Sequence, residues 1–257
     1  PSDFQLTSPG PLRLYSTTEL LALPAPEWLI TPIMPSGGLV GLYGPPGEGK
    51  SFIAIDMALS VATGHPWQGY EVKPGYVLYV SAEGGTGIGK RAHAWLKTQG
   101  VEPKATRIAW LTEAISVYGD SSDLDGIVSR ITEEVDEKPR LVVIDTLARC
   151  FDGNENEQED MGRFIKVVDR IRLAFDATVI IVHHTRLDGE RERGNTAFRG
   201  AADTMMATAR KPNGVITLTC NKQKDDEEFE TISFRLTKVL GTDSCVITAD
   251  QQHSKKE

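Results

Sequence analysis

Short apolar runs alternate with longer segments of helical period through the middle of the chain. Runs of strand length occur at 39–43, 76–85, 107–112, 140–148 and 178–184. Each of the first four is followed by a stretch with helical period: 50–64, a segment through Ala94 and Leu96, about 123–135, and 161–175. Apolar strands that alternate with helices predict a parallel sheet covered by helices on both faces.

The pattern changes after Asp203. The segment TMMATARKPNGVITLTCNK, residues 204–222, is typical of two strands about a Pro-Asn-Gly turn. The segments ISFRLTKV (232–239) and SCVITAD (244–250) continue the pattern as antiparallel strands. The predicted fold class is therefore α/β, with a mostly parallel sheet flanked by helices and extended by antiparallel C-terminal strands.

The first 38 residues are rich in Pro, Ser and Thr and carry one helical signal, STTELLAL (16–23). Ser16 and Glu19 have the spacing of a capping box ahead of three leucines. One amphipathic turn between prolines cannot form a core, so it must pack as a strap on its own domain or as an arm on a neighbouring subunit. We expect an N-terminal arm over 1–30 and one folded domain over 31–257.

Composition limits the possible partners. The net charge of −8 is unlike that of proteins that wrap duplex DNA by charge alone, so any contact with nucleic acid is expected to be local. No apolar run is long enough to span a bilayer, and we expect no membrane contact. Three cysteines, odd in number and without CxxC spacing, predict reduced thiols and a cytoplasmic protein rather than a zinc knuckle.

The segment GPPGEGKS, residues 44–51, fits G-x-x-x-x-G-K-[ST] between a predicted strand and a predicted helix. Its glycines allow the backbone to curl, so that its N–H groups face phosphate oxygens. Lys50 is expected to reach the β- and γ-phosphates, and Ser51 to offer a hydroxyl to Mg²⁺. The predicted nucleotide-binding residues are Gly44, Pro45, Pro46, Gly47, Glu48, Gly49, Lys50, Ser51, Phe52 and Asp145.

Two carboxylates complete a predicted site for ATP and Mg²⁺. Asp145 ends the apolar run LVVI, where a Walker B aspartate holds the magnesium ion together with Ser51. Glu83, in SAEGG, follows the strand after the P-loop helix and is the candidate base that polarises the attacking water. The other interpretations are a strand end or helix cap for Asp145 and a solvated loop for Glu83.

Adjacent histidines, His183 and His184, end the run TVIIVHH. They are compatible with a sensor of the γ-phosphate, a structural pair, or a metal site. A metal site needs a third ligand, which only Asp188, Glu190 or a distant cysteine offers.

The order of these motifs resembles the RecA-like hexameric helicases of the RepA and DnaB kind, from about Trp28 to Val246. The resemblance is carried by WLITPIMPSGGLVGLYGPPGEGKS, VLYVSAEGG, LVVIDTLAR, RGNTAFRGAAD and NKQKD. It implies a RecA-like P-loop NTPase core with a twisted sheet over 31–257. It also implies a head-to-tail ring, six-fold by expectation, that hydrolyses ATP between subunits and binds single-stranded DNA.

The same resemblance assigns further roles. It implies that His184 senses the γ-phosphate, and that Lys222 and Lys224 act on the ATP of the neighbouring subunit. Lys224 stands where DnaB-like proteins carry an arginine finger, and lysine lacks the bidentate fork of arginine. The loop after Asp145 is acidic, which leaves later arginines as DNA-binding candidates: Arg186, Arg191, Arg193 and Arg199.

The expected function is a DNA helicase or translocase of plasmid, phage or mobile-element replication. Three alternatives remain open on the sequence. The first is a RecA-like ATPase that repairs, anneals or loads without unwinding, the second is a P-loop small-molecule kinase, and the third is a nucleotide-gated scaffold.

Overall fold

A computed structural model describes residues 14–81, 85–113, 126, 133, 137–155, 157–184 and 196–250. Within these residues the helices are α1 (Thr17–Leu21), α2 (Lys50–Thr63), α3 (Gly85–Gln99), α4 (Leu147–Cys150), α5 (Gln158–Phe175) and α6 (Thr196–Ala201). The strands are β1 (Trp28–Ile30), β2 (Met34–Pro35), β3 (Leu39–Gly44), β4 (Tyr76–Ser81), β5 (Ile108–Leu111), β6 (Pro139–Asp145), β7 (Thr178–His184), β8 (Thr204–Arg210), β9 (Ile216–Gln223), β10 (Ile232–Lys238) and β11 (Cys245–Ala249).

One large sheet has the strand order β11-β10-β9-β8-β3-β7-β6-β4-β5. The pairs from β8 to β5 are parallel, whereas β9, β10 and β11 are joined antiparallel. The predicted fold class is confirmed, including the change to antiparallel strands after Asp203. Strands β1 and β2 form a separate two-stranded ribbon.

The sheet carries an apolar layer on each face because successive side chains of a strand point to opposite sides. In β3, Val40 and Leu42 pack with α2 and α3, whereas Leu39 and Tyr43 pack with α5 and α6. Burial on both faces explains why the central strands are apolar without alternation. Leu29 and Ile30 already belong to the first layer, while the division of the chain at residue 30 stays a prediction.

Two predicted strands were too long. The strand at 76–85 ends at Ser81, and Gly85 already belongs to α3. The strand at 140–148 ends at Asp145, because Leu147–Cys150 forms a helical turn with both of its end residues buried. A buried turn and a buried strand have the same apolar pattern over a few residues, so periodicity alone does not separate them. The helix at 123–135 lies outside the described residues except for Gly126 and Glu133, which are helical.

The capping box of α1 is present. The backbone N–H of Glu19 donates to Ser16 Oγ at 3.3 Å, and the backbone N–H of Ser16 donates to the Glu19 carboxylate at 2.8 Å. The helix buries none of its residues, and Leu21 is 81% exposed. It therefore does not act as a strap on its own domain, and docking on a neighbouring subunit stays a prediction.

The structure also bears on the thiols and on the length of the apolar helices. Cys150, Cys220 and Cys245 form no disulfide bond. Among the described residues, no helix is both long and apolar enough to cross a bilayer.

A buried carboxylate, Asp56, links α2 to its neighbours. Its Oδ1 accepts from Trp95 Nε1 at 2.6 Å on α3, and its Oδ2 accepts from Gln68 Nε2 at 3.0 Å. Gln68 has a left-handed backbone, with φ of 50°, in the turn that follows α2. Burial raises the pKa of Asp56 to about 6 despite these donors. Desolvation of the charge therefore outweighs the hydrogen bonds.

The raised pKa of Asp56 predicts a pH-dependent stability. Between about pH 4 and pH 6 the folded chain holds this proton while the unfolded chain releases it, so the free energy of unfolding falls as the pH rises. Asp56→Asn removes the titration. The difference in unfolding free energy between Asp56→Asn and the wild type should shift in favour of the variant by about 1 kcal/mol from about pH 5 to about pH 7.5. Denaturant unfolding of both proteins at both pH values measures this shift. A difference in unfolding free energy that does not change with pH contradicts the prediction.

Candidate active site

The P-loop joins the buried strand β3 to the first turn of α2. Lys50 is 3% exposed, and its Nζ donates to the carbonyl oxygens of Gly44 and Pro45, each at 2.7 Å. A Cβ at Gly44 would lie 2.5 Å from the carbonyl oxygen of Thr208, so only glycine permits this approach of β8 to the loop. Pro46 and Gly47 are exposed at the crest of the loop. The loop therefore holds its lysine inside while its outer backbone faces solvent.

Asp145 lies beside the P-loop helix at the carboxyl end of β6. Its Oδ1 accepts a hydrogen bond from Ser51 Oγ at 3.2 Å, and its Oδ2 accepts from Tyr79 Oη at 2.7 Å. Tyr79 is fully buried on the neighbouring strand β4. Sequence reasoning missed Tyr79, because an aromatic residue in an apolar strand has the pattern of an ordinary core residue. In the structure its hydroxyl fixes the orientation of the carboxylate, as outer-shell partners of metal ligands do.

The residues around Ser51 fit a nucleotide with its magnesium ion. A hydroxyl and a carboxylate oxygen within 3.2 Å of each other are hard ligands of the kind that Mg²⁺ accepts. The N–H groups in the first turn of α2 have no partner within the helix, and with the Lys50 ammonium they favour a phosphate group. Mg²⁺, when bound by Ser51 and Asp145, would offset the negative charge of the β- and γ-phosphates.

Phe52 lies in the first turn of α2 and contacts α3. The Arg91 guanidinium carbon lies 4.6 Å from the centroid of the Phe52 ring, a distance typical of a cation–π contact. Both residues are half-buried, as is Glu48 in the loop. The contact joins the middle of α3 to the first turn of α2.

Glu83 itself lies outside the described residues, and its role as the base stays a prediction. The described residues nearest to it in the chain are Ser81 and Gly85. Ser81, the last residue of β4, is paired with Asp145 in the parallel register, and Gly85 begins α3. The carboxyl ends of parallel strands meet at one edge of the sheet, where crevices bind ligands in open α/β folds.

The two histidines lie at the same edge of the sheet. His183 is paired with Tyr43 and His184 with Gly44, the first residue of the P-loop. Val182 packs in the layer formed with α2. Because side chains alternate along a strand, His184 lies on the α2 face and His183 on the opposite face.

His183 is neutral at physiological pH. Burial lowers its pKa to about 4, with further contributions from His184 and Lys50. Its Nε2 lies 3.4 Å from the carboxylate of Glu155, whose pKa is raised by burial. No group of three His, Cys, Asp or Glu side chains is placed to hold a metal ion among the described residues. Asp188 and Glu190 lie outside them. Two rings on opposite faces of a strand do not favour one shared ion.

The lysines of NKQKD are both in contact with their own chain. Lys222 lies within β9. Its Nζ donates to the carbonyl oxygens of Arg199, Gly200 and Ala202 at 2.7, 3.2 and 2.5 Å. Lys224 forms an ion pair with Asp203 at 3.3 Å and is 58% exposed.

Lys224 lies at the opposite end of the sheet from its own P-loop. β9 is antiparallel to β8, and β8 is parallel to β3, so the end of β9 lies level with the start of β3, with β8 between them. Asp203 contacts both strand ends. Its Oδ2 accepts a hydrogen bond from the backbone N–H of Leu39 at 2.8 Å, and its carbonyl oxygen accepts one from the backbone N–H of Lys224 at 2.9 Å. The P-loop follows the other end of β3.

Of the arginines predicted to bind DNA, the structure describes Arg199. It lies in α6, and one of its terminal nitrogens donates to the carbonyl oxygen of Asn221 at 3.1 Å. Arg186, Arg191 and Arg193 lie outside the described residues.

Comparisons with known proteins agree with this architecture. Residues 16–190 match the AAA domain family. The structure is similar to that of the RadB recombinase, with 20% identity, coverage of 79% of this chain and 88% of that chain, and a TM-score of 0.57. It is also similar to the ATPase domain of a second protein, with 15% identity, coverage of 84% of this chain and 86% of that chain, and a TM-score of 0.61. At these identities the likeness shows the fold alone, whereas the family match spans more than half of the chain. The chain therefore belongs to the AAA domain family, and its core is a RecA-like P-loop ATPase domain.

Proposed function

We propose that this chain is the ATPase of a ring-forming DNA helicase or translocase that serves plasmid, phage or mobile-element replication. One observation carries the proposal. The exposed cation Lys224 lies at the sheet end opposite its own P-loop. Head-to-tail contacts close into a ring when their rotation permits it. In such a ring, Lys224 of one subunit would face the P-loop of the next.

In the proposed reaction, Lys50 binds the β- and γ-phosphates, while Ser51 and Asp145 hold Mg²⁺. Glu83 polarises the water that attacks the γ-phosphate. Positive charge from the neighbouring subunit stabilises the transition state. We assign that contact to Lys224, because the Lys222 ammonium already donates to three carbonyl groups of its own chain.

His184 is the proposed sensor of the γ-phosphate. Its place beside Gly44 and on the face of α2 supports this role over His183, which contacts Glu155 on the other face. A neutral imidazole donates one hydrogen bond to a phosphate oxygen and loses it when the phosphate leaves. Residues 185–195 follow directly in the chain, and we propose that Arg186, Arg191 and Arg193 bind single-stranded DNA.

The exposed leucines of α1 and of the residues on either side of it support a homo-oligomer. Leu14, Leu20, Leu21 and Leu23 stand out among the large exposed apolar side chains of the described residues. Apolar groups concentrated in this way mark interaction sites. We propose that α1 docks on the adjacent subunit of a hexamer.

A second candidate is a RecA-like ATPase that repairs, anneals or loads without unwinding. The structural likeness to a protein named a recombinase is compatible with it. Both candidates share the ATP site, and unwinding separates them.

The first test measures ATP hydrolysis with and without single-stranded DNA, together with unwinding of a forked duplex. The wild type should be stimulated by DNA and should unwind the fork. Lys50→Ala should lose turnover and bind nucleotide weakly, because the buried ammonium at the P-loop is gone. Lys104→Ala, an exposed lysine on a distant turn, is the matched control. Stimulation without unwinding selects the second candidate, and full activity of Lys50→Ala contradicts the ATP site.

The second test concerns His184. His184→Ala should lower the DNA-stimulated ATPase rate much more than it lowers ATP affinity, because the lost bond forms only with the γ-phosphate. His93→Ala, on the exposed face of α3, is the control. Equal loss of both quantities argues for a structural histidine. Zinc that co-purifies with the wild type and is absent from His184→Ala establishes the metal site instead.

The third test is subunit mixing. Glu83→Gln and Lys224→Ala should each hydrolyse ATP slowly. Glu83→Gln should lower the rate by about a hundredfold, because it removes the base. Lys224→Ala should lower the rate by less than the ~10³-fold that loss of an arginine finger causes. Mixed rings contain interfaces that pair an intact Glu83 with an intact Lys224, so mixtures should recover activity. Lys238→Ala is the matched lysine control. Co-assembled mixtures that stay inactive at every ratio argue against a shared site.

A further inference from the structure

Lys222 occupies the C-terminal end of α6. The last carbonyl groups of a helix have no partner within it, and a cation there is favourable. The Lys222 ammonium donates to the carbonyl oxygens of Arg199, Gly200 and Ala202, which use its three N–H groups. Its pKa is lowered by burial and, in smaller part, by the neighbouring Lys224 and Arg199. The side chain is therefore held in place by its own chain.

Reciprocal bonds connect the same two elements. Arg199 on α6 donates back to the Asn221 carbonyl on β9 at 3.1 Å. The Asn221 side chain donates to Tyr43 Oη at 2.6 Å, one residue before the P-loop. On the other flank, Thr204 Oγ1 donates to Gln223 Oε1 at 2.8 Å.

These contacts tie α6 to residues 221–224, which we call the β9 end. The backbone N–H of Lys224 is held by the Asp203 carbonyl, and its ammonium by the Asp203 carboxylate. Asp203 follows α6 by two residues. A shift of α6 cannot leave the β9 end in place without breaking several of these bonds at once.

We propose that Lys222 is a positioning residue that joins α6 and the β9 end into one unit, so that movement of α6 also moves Lys224. The inference rests on the proposed function, in which DNA binds just before α6 and Lys224 acts on the neighbouring subunit's ATP. Lys222 thereby couples DNA binding on one subunit to hydrolysis at the next interface. Lys222 acts by holding α6 and the β9 end together, and it does not contact a phosphate group.

The activity test compares Lys222→Met, which keeps the aliphatic stem, with Lys222→Arg, which keeps several donors. In Lys222→Met the ratio of DNA-stimulated to basal ATPase rate should fall by about tenfold, the scale of coupling energies between sites. Lys222→Arg should restore most of the ratio, and Lys238→Met is the matched control. A phosphate contact predicts instead that both rates fall by the same factor. That outcome, or a wild-type ratio in Lys222→Met, overturns the proposal.

Hydrogen–deuterium exchange tests the unit directly and without turnover. In the wild type, single-stranded DNA should change exchange at both 196–203 and the β9 end; a change at 196–203 alone overturns the proposal. If Lys222→Met fails to fold, Lys222→Gln and the wild-type measurement still test the proposal.

A wild type whose ATPase rate is not stimulated by DNA, and whose exchange DNA does not change, contradicts the proposed function. In that case exchange is compared between Lys222→Met and the wild type without DNA. Faster exchange of the variant in both segments supports the proposal that they form one unit, and faster exchange in α6 alone overturns that proposal.

Discussion

The hydrogen bond between Ser51 and Asp145 is the contact on which the site depends, because it joins the two halves of the ATP machinery. Ser51 belongs to the helix that follows the central strand β3, and Asp145 ends β6, two strands away. Their meeting requires the parallel register of β3, β7 and β6. The same register brings His184 next to Gly44. A slip by one residue would turn every side chain of a strand to the other face and separate these groups.

Charge at this edge is balanced over short distances. Lys50 and Asp145 are each 3% exposed, and an isolated buried charge is costly. Lys50 donates to two carbonyl oxygens, and Asp145 accepts from two hydroxyl groups. The Lys50 charge also contributes to keeping His183 neutral. The His183 imidazole therefore adds no second positive charge at this edge of the sheet.

The sequence predicted the strand and helix order because each central element is apolar over a length typical of its type. It predicted the placement of Ser51 and Asp145 because the P-loop and Walker B patterns define positions relative to strand ends. It could not predict the bond from Tyr79 to Asp145, nor the three carbonyl groups around Lys222. Those contacts join residues far apart in the chain, and tertiary packing alone brings them together. The strand end at Asp145 was missed because a buried helical turn has the same short apolar pattern.

The candidate site residues lie at two opposite ends of the strands of the sheet. The carboxyl edge carries the P-loop, Asp145 and the histidines, all of which one chain brings together. The opposite end carries Lys224, which lies far from the P-loop of its own chain, because β9 ends level with the start of β3, on the far side of β8. Asp203 anchors that end through Leu39, Arg172 and Lys224. It is only 16% exposed and has a cation on either side, so its carboxylate keeps a counter-ion even when Lys224 leaves. In the proposed ring, the ion pair with Arg172 would keep Asp203 paired while Lys224, the more exposed of the two cations, reaches toward another subunit.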